Sequence, residues 1–154
     1  MQIAGIITDR TVAGLDPTLQ ERVLRTFRII LADDNPIFLR ELTSLLGAEF
    51  GVVATAADGK SVLDLIRRYK PDLVVLDLGM PVLNGIEVSR ELAKCSQSPP
   101  VVICSVETDP EVVEAARQAG AIVYVFKVRV EKDLILAVKS ALQGKSFVSP
   151  SSIQ

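Results

Sequence analysis

Asp77 stands at the end of an apolar run, Val74-Val75-Leu76, and is followed by Leu78-Gly79-Met80-Pro81. The same arrangement recurs along the chain. Asp33 and Asp34 follow Arg28-Ile29-Ile30-Leu31-Ala32, Ser105 ends Val101-Val102-Ile103-Cys104, and Lys127 closes the run Ala121 to Phe126. Each alone has a plain structural explanation, since acids cap helices and lysine stems lie along apolar surface. Together they offer three carboxylates, one hydroxyl and one ammonium at the ends of four apolar runs. Clustered carboxylates repel one another and favour a cation. Hard oxygen donors with room for water suit Mg2+ better than zinc or iron. A carboxylate can also attack a phosphoryl group to give an aspartyl phosphate. That reaction depends mainly on positioning and charge neutralisation. A cation on one side and Lys127 on the other would balance the phosphoryl oxygens, and the Ser105 hydroxyl can donate to the product phosphate.

Other chemistries are excluded by what the chain lacks. It has no histidine, so Ser-His-Asp and Cys-His catalysis and imidazole metal sites are out. The two cysteines, Cys95 and Cys104, form no CxxC pair; they are disfavoured as catalytic groups, Cys104 as a buried thiol within a strand pattern. The net charge is −2 without a basic block, so this chain shows no surface for direct nucleic-acid binding. Its apolar runs are strand-sized, too short to span a membrane. The start, Met1-Gln2-Ile3-Ala4-Gly5-Ile6-Ile7, lacks the basic and apolar regions of a signal peptide, and a cytoplasmic location is expected.

The elements that must position these groups follow from periodicity. Residues 1–26 form an N-terminal extension in which Asp16-Pro17 opens a short amphipathic helix ending near Arg25, with Leu15, Leu19, Val23 and Phe27 every four residues. This helix either packs on the domain or serves dimerisation. From Phe27 onward, strands and helices alternate. The strands are 28–32, 52–56, the run before Asp77, 101–105 and 121–126. Helices follow Asn35-Pro36 (with Ile37, Leu39, Leu42, Leu45 and Leu46 apolar), the turn Asp58-Gly59, Gly85 and Asp109-Pro110, and the last spans about 131–142 with Gly144 as its stop. Five strands alternating with five helices predict an α/β fold, a doubly wound five-stranded parallel sheet with helices on both faces. In such a sheet the strand carboxyl ends form one edge, where ligands bind. The segment 145–154 is expected to be a loose polar tail or linker.

As a spaced set, these residues resemble the receiver domain of two-component response regulators. The marks are Asp33-Asp34 after the first strand, Asp77 after the third, Pro81 and Gly85 four and eight residues later, Ser105 after the fourth, Tyr124 in the fifth, and Lys127. The resemblance covers residues 27–144 and implies a flavodoxin-like strand order 2-1-3-4-5. It implies that Asp77 accepts phosphate from a sensor histidine kinase or histidine phosphotransfer protein. Asp34 and Asp77 would bind Mg2+ directly, Asp33 through water, and the Gly79 carbonyl would complete the protein ligands. Lys127 would pair with the phosphoryl group, Ser105 would move toward it, and Tyr124 would change between outward and inward rotamers. Such a protein is a phosphorelay switch and no enzyme beyond catalysing its own phosphorylation and dephosphorylation. A homodimer is possible on this reading, and output usually passes through the helix after the fourth strand, the fifth strand and the last helix. The segments 32–38 and 143–150 resemble receivers that precede a helix-turn-helix DNA-binding domain, so the chain is either a single-domain switch or the receiver fragment of a transcription regulator.

The chain departs from the family at several positions. Val128 stands where a proline, often after a cis bond, is common; before Val128 a cis bond would cost several kcal/mol, so a trans bond or strained loop is expected. Val106 is bulkier than the usual alanine or glycine, and Gly79 and Glu107 occupy positions that tune phosphate lifetime. An alternative is a phosphohydrolase with a nucleophilic aspartate, but that chemistry needs an acid two residues on, where Gly79 stands. A flavodoxin-like cofactor carrier would want a phosphate-binding loop in place of the acidic Asp33-Asp34-Asn35-Pro36.

Overall fold

The computed structural model describes residues 14–150. The readings made of Met1–Ile7 and of the last four residues lie outside them. Helix α1 spans Pro17–Arg25, and its N-cap Asp16 accepts the Leu19 N–H at 3.0 Å. Leu24 of α1 is buried, and Phe27 after it is wholly so. This helix packs against the same core as β1.

The sheet consists of β1 (Arg28–Ala32), β2 (Gly51–Ala56), β3 (Leu73–Leu76), β4 (Val101–Ser105), β5 (Ala121–Phe126) and β6 (Phe147–Val148). All its pairings are parallel, in the order β2-β1-β3-β4-β5-β6. Helices α2 (Pro36–Gly47), α3 (Gly59–Tyr69), α4 (Gly85–Ala93), α5 (Pro110–Gln118) and α6 (Val130–Leu142) make the crossovers. Two cores result because successive strand side chains point to opposite faces. Ile29, Leu31, Leu73 and Val75 pack with Leu42 and Leu46 of α2 and Leu134 of α6. Ile30, Val74, Leu76 and Ile103 pack with Val62 of α3, Val88 of α4 and Ala116 of α5. β3 is buried at every position, as a strand covered on both faces must be.

Three expectations need correction. The sheet has six strands, not five, and the segment after Gly144 is not a loose tail as far as Pro150. Gly144, at φ +75°, reverses the chain after α6, and Phe147 then packs on the α2/α6 core. A two-residue strand carries too little alternation to show in the sequence. Second, Asp58-Gly59 is a helix start: Asp58 caps α3 through the Ser61 N–H at 2.7 Å. Gly59 is required there because a Cβ would lie 2.0 Å from the Leu83 carbonyl oxygen. Third, Leu19 of the expected stripe on α1 is exposed, and the residue this helix buries is Leu24.

Candidate functional site

The carboxyl edge of the sheet gathers the predicted groups from four strands. Backbone bonds place the acids: the Asp77 N–H donates to the Ala32 carbonyl at 2.9 Å, and the Asp33 N–H to the Ala56 carbonyl at 3.1 Å. Each carboxylate is therefore fixed to the neighbouring strand's end. Asp33 is 1% exposed and Asp77 7%, whereas Asp34 is exposed. Asn35 turns the chain directly into α2, capping the Ile37 and Phe38 N–H groups. One oxygen from each of Asp33, Asp34 and Asp77 lies within 4.8 Å of the others.

Lys127 reaches this cluster from the end of β5, with Nζ 2.7 Å from Asp33 Oδ2 and 3.3 Å from Asp77 Oδ1. The same Nζ sits 4.3 Å from the centroid of the Phe38 ring, a favourable cation–π placement. Nothing in the sequence pattern pointed to this role for Phe38, because contacts between distant elements leave no spacing signal. The Lys127–Val128 bond is trans, since no described residue has a cis bond. Lys127–Arg129 forms a 3-10 turn leading into α6, a conformation that needs no proline.

Two features show that the acids fit a cation. The donor set is all carboxylate, the chemistry of a hard divalent ion. Among the described residues, three carboxylates within 4.8 Å of one another also face a single ammonium, that of Lys127, 2.7 Å from Asp33 Oδ2 and 3.3 Å from Asp77 Oδ1. That leaves negative charge for a divalent cation to balance. Gly79 lies at the same place, since a Cβ built on it would be 3.6 Å from Asp77 Oδ2.

Burial first, and then the charge of Asp33, push the Asp77 carboxyl above its ordinary value of 3.8, and Lys127 only partly offsets them. Burial alone would depress Lys127, but the Asp33 and Asp77 carboxylates prevail and hold its ammonium above the usual lysine value. A raised folded-state carboxyl contributes most stability below the unfolded value and loses it as pH rises. Asp77→Asn is therefore expected to melt higher than wild type at pH 7 in chelator, with the gap narrowing as pH falls toward about 4. Paired melts at the two pH values check this; a less stable variant at pH 7 would contradict it.

The loop after β3 is held under strain. The Leu83 N–H donates to the Pro81 carbonyl at 2.9 Å across Val82, whose φ is +70°. A β-branched residue rarely adopts this region. Val82 is 71% exposed, so replacing it removes little packing. Val82→Asn is expected to raise stability by about 1 kcal/mol, measured by urea unfolding.

A second network joins β4, the loop after it and β5. Ser105, 2% exposed, accepts the Glu107 N–H on Oγ at 3.1 Å. The Tyr124 hydroxyl donates to the Glu107 carbonyl at 2.8 Å. The Glu107 carboxylate turns back onto its own loop, accepting the Thr108 and Asp109 N–H groups at 3.0 and 2.9 Å. The Tyr124 ring is thus inward, edge-on to Phe126 at 5.7 Å. Burial pushes its phenol up to about 12, against the opposing Ser105 hydrogen bond, so it stays a neutral donor at physiological pH. Cys104 is buried in β4 with its thiol pushed to about 12, mainly by burial, which removes its nucleophilicity. Cys95 is exposed beyond the end of α4.

Comparison with known proteins agrees with this geometry. A family profile described as the response regulator receiver domain matches residues 29–139. The transcriptional regulatory protein DegU of Brevibacillus brevis is 32% identical over 125 residues, 80% of this chain and 53% of that protein. The DNA-binding response regulator MtrA of Mycolicibacterium smegmatis is 36% identical over 116 residues, 75% of this chain and 50% of that protein. Among solved structures, a two-component response regulator of the LuxR family from Aurantimonas sp. SI85-9A1 is 33% identical, with a TM-score of 0.77 over 81% of this chain and 91% of that one. The chain spans about half the length of these two curated relatives.

Proposed function

Because this chain belongs to the response regulator receiver domain family, we propose that it is a phosphoacceptor switch in which Asp77 carries the phosphoryl group. The observation that carries this reading is the convergence of Asp33, Asp34 and Asp77 within 4.8 Å with Lys127 at 2.7 and 3.3 Å from two of them. The donor would be a phosphohistidine on a sensor kinase or phosphotransfer protein. An Asp77 oxygen attacks phosphorus in line, the P–N bond breaks, and the imidazole leaves with the electron pair. Asp33, Asp34, Asp77 and the Gly79 carbonyl would hold Mg2+, which neutralises charge on the phosphoryl oxygens when bound. Lys127 takes the opposite side of the group. Ser105 and Tyr124 read the product, because both already share Glu107 as hydrogen-bond partner.

The apolar side chains that flank this edge, Ile37, Val82, Val106 and Val128, are all exposed. They suit the face that meets the donor protein. The proposed receiver unit is 27–144, with α1 before it and β6 added after it. Among the described residues no helix is long and apolar enough to cross a membrane, and a cytoplasmic location is part of this reading. The relatives named above include a DNA-binding regulator; DNA binding by a longer protein is a further part of the proposal, with no role in it for the residues described. The phosphohydrolase alternative is disfavoured because residue 79, beside Asp77, has no acid.

Incubation with Mg2+ and a small phosphodonor tests the proposal by intact mass. Wild type is expected to gain one phosphoryl group, and to gain none in EDTA or as Asp77→Asn. An unchanged mass with no beryllofluoride binding would sink it.

A further inference from the structure

Strand β6 is fastened to the sheet by more than its pairing of Phe147 with Val123 and Val148 with Tyr124. The Ser149 N–H donates to the Tyr124 carbonyl at 2.9 Å, and Ser149 Oγ accepts the Phe126 N–H at 3.1 Å. Ser149 is 3% exposed. Against the effect of burial, Arg129 and then the nearby Ser149 hydroxyl hold the carboxyl of Asp133 on α6 below its ordinary value. Asp133, itself buried, is gripped by Arg129, Nε to Oδ2 at 2.7 Å and Nη2 to Oδ1 at 3.3 Å. Phe147 lines a half-open groove of about 180 Å³ with Val113 and Arg117 of α5 and Ile122 of β5.

Arg129 and Lys127 belong to the same three-residue 3-10 turn. One end of that turn holds Asp33 and Asp77; the other holds Asp133, the α6 carboxylate beside the Ser149 hydroxyl. β5 makes the same link through its backbone, since Tyr124 and Phe126 grip Ser149 immediately before Lys127. We propose that the C-terminal segment Ser146–Pro150 is a bound strand whose hold on β5 is energetically coupled, through the Lys127–Arg129 turn, to phosphoryl occupancy at Asp77. The proposal rests on the phosphoacceptor reading of that site. A phosphoryl group draws Lys127 off Asp33 and Asp77 onto its own oxygens. Lys127 and Arg129 leave the same three-residue turn, so a shift of its backbone that follows Lys127 moves Arg129 against Asp133. The segment and the site then bias each other by the same factor, as linkage requires.

The test uses the full chain with Mg2+ and beryllofluoride as the phosphoryl mimic. Amide hydrogen exchange at Phe126 and Ser149 is read with and without the mimic, and the mimic's dissociation constant is measured for wild type, Ser149→Ala and Arg129→Gln. The Arg129 side chain is part exposed, so Arg129→Gln keeps the fold if loss of the Ser149 hydroxyl does not. The mimic is expected to change exchange at both amides. The variants are expected to shift its affinity by about fivefold or more, weaker if the mimic slows exchange and tighter if it speeds it. Unchanged exchange with unchanged affinity in both variants, or shifts of the wrong relative sign, would overturn the coupling while leaving the site intact. A wild-type chain that binds no beryllofluoride removes the site reading and the coupling together.

Discussion

Lys127→Ala lowers the rate of phosphoryl transfer to Asp77 by about 10²–10³-fold, the usual cost of removing one positioned donor from developing negative charge. Two independent contacts of the ammonium support this size. It lies against both buried carboxylates and over the Phe38 ring, so its position is fixed before a phosphoryl group arrives. Preorganised charge acts without reorganisation at the moment of reaction, which a water replacing Lys127 cannot match. The variant also leaves Asp33 and Asp77 facing each other without a cation, so its melting temperature falls in chelator at pH 7. Mg2+ restores part of that loss, and so does acid, which protonates the carboxylates. Lys127→Met, which keeps the apolar stem, separates charge from packing. A transfer rate within a few-fold of wild type in both variants would show that Lys127 is only a structural partner of the acids.

Gly85→Ala is expected to lower the phosphorylation rate by about 10²-fold, the scale of a displacement of about 1 Å at reacting atoms. α4 begins at Gly85 directly on the backbone of Asp77 and Leu78. The Gly85 N–H donates to the Leu78 carbonyl at 3.2 Å. A Cβ there would stand 2.5 Å from the Asp77 carbonyl oxygen, 3.1 Å from its carbon and 3.2 Å from Leu78 Cα. All three are backbone atoms, so no side chain can swing away and the strand end or the helix must shift. Overpacking of this kind costs about 1–3 kcal/mol, which urea unfolding reads alongside the rate. Gly47→Ala at the end of α2 is the control, since its new methyl meets nothing within 4 Å. Equal rates for Gly85→Ala and wild type would mean that α4 does not set the position of Asp77.

These two residues also show what was legible in the sequence. The parallel sheet was readable because its strands are short apolar runs separated by helical periodicity. The site was readable because each of its polar groups interrupts such a run at the same end. Gly85 was recognisable as a mark, yet its reason, contact with the Asp77 carbonyl, is a matter of three dimensions. The same holds for Phe38 against Lys127. The sixth strand was missed because it holds only two residues and owes its place to Ser149, a polar residue whose partners lie 23 and 25 positions away in the sequence. Helix α1 was legible from its Asp16-Pro17 cap, a local signal, whereas its buried residue, Leu24, lies off the expected stripe.

The central claim is that the phosphoryl group is carried by the side chain of Asp77, and borohydride trapping tests it most directly. Borohydride reduces an acyl phosphate to the alcohol, so protein phosphorylated in Mg2+ and then reduced would contain homoserine at one position. Peptide sequencing by mass spectrometry is expected to find homoserine at position 77, absent from samples phosphorylated in EDTA. Homoserine at position 33 or 34, or phosphate retained on a hydroxyl after reduction, would contradict the account.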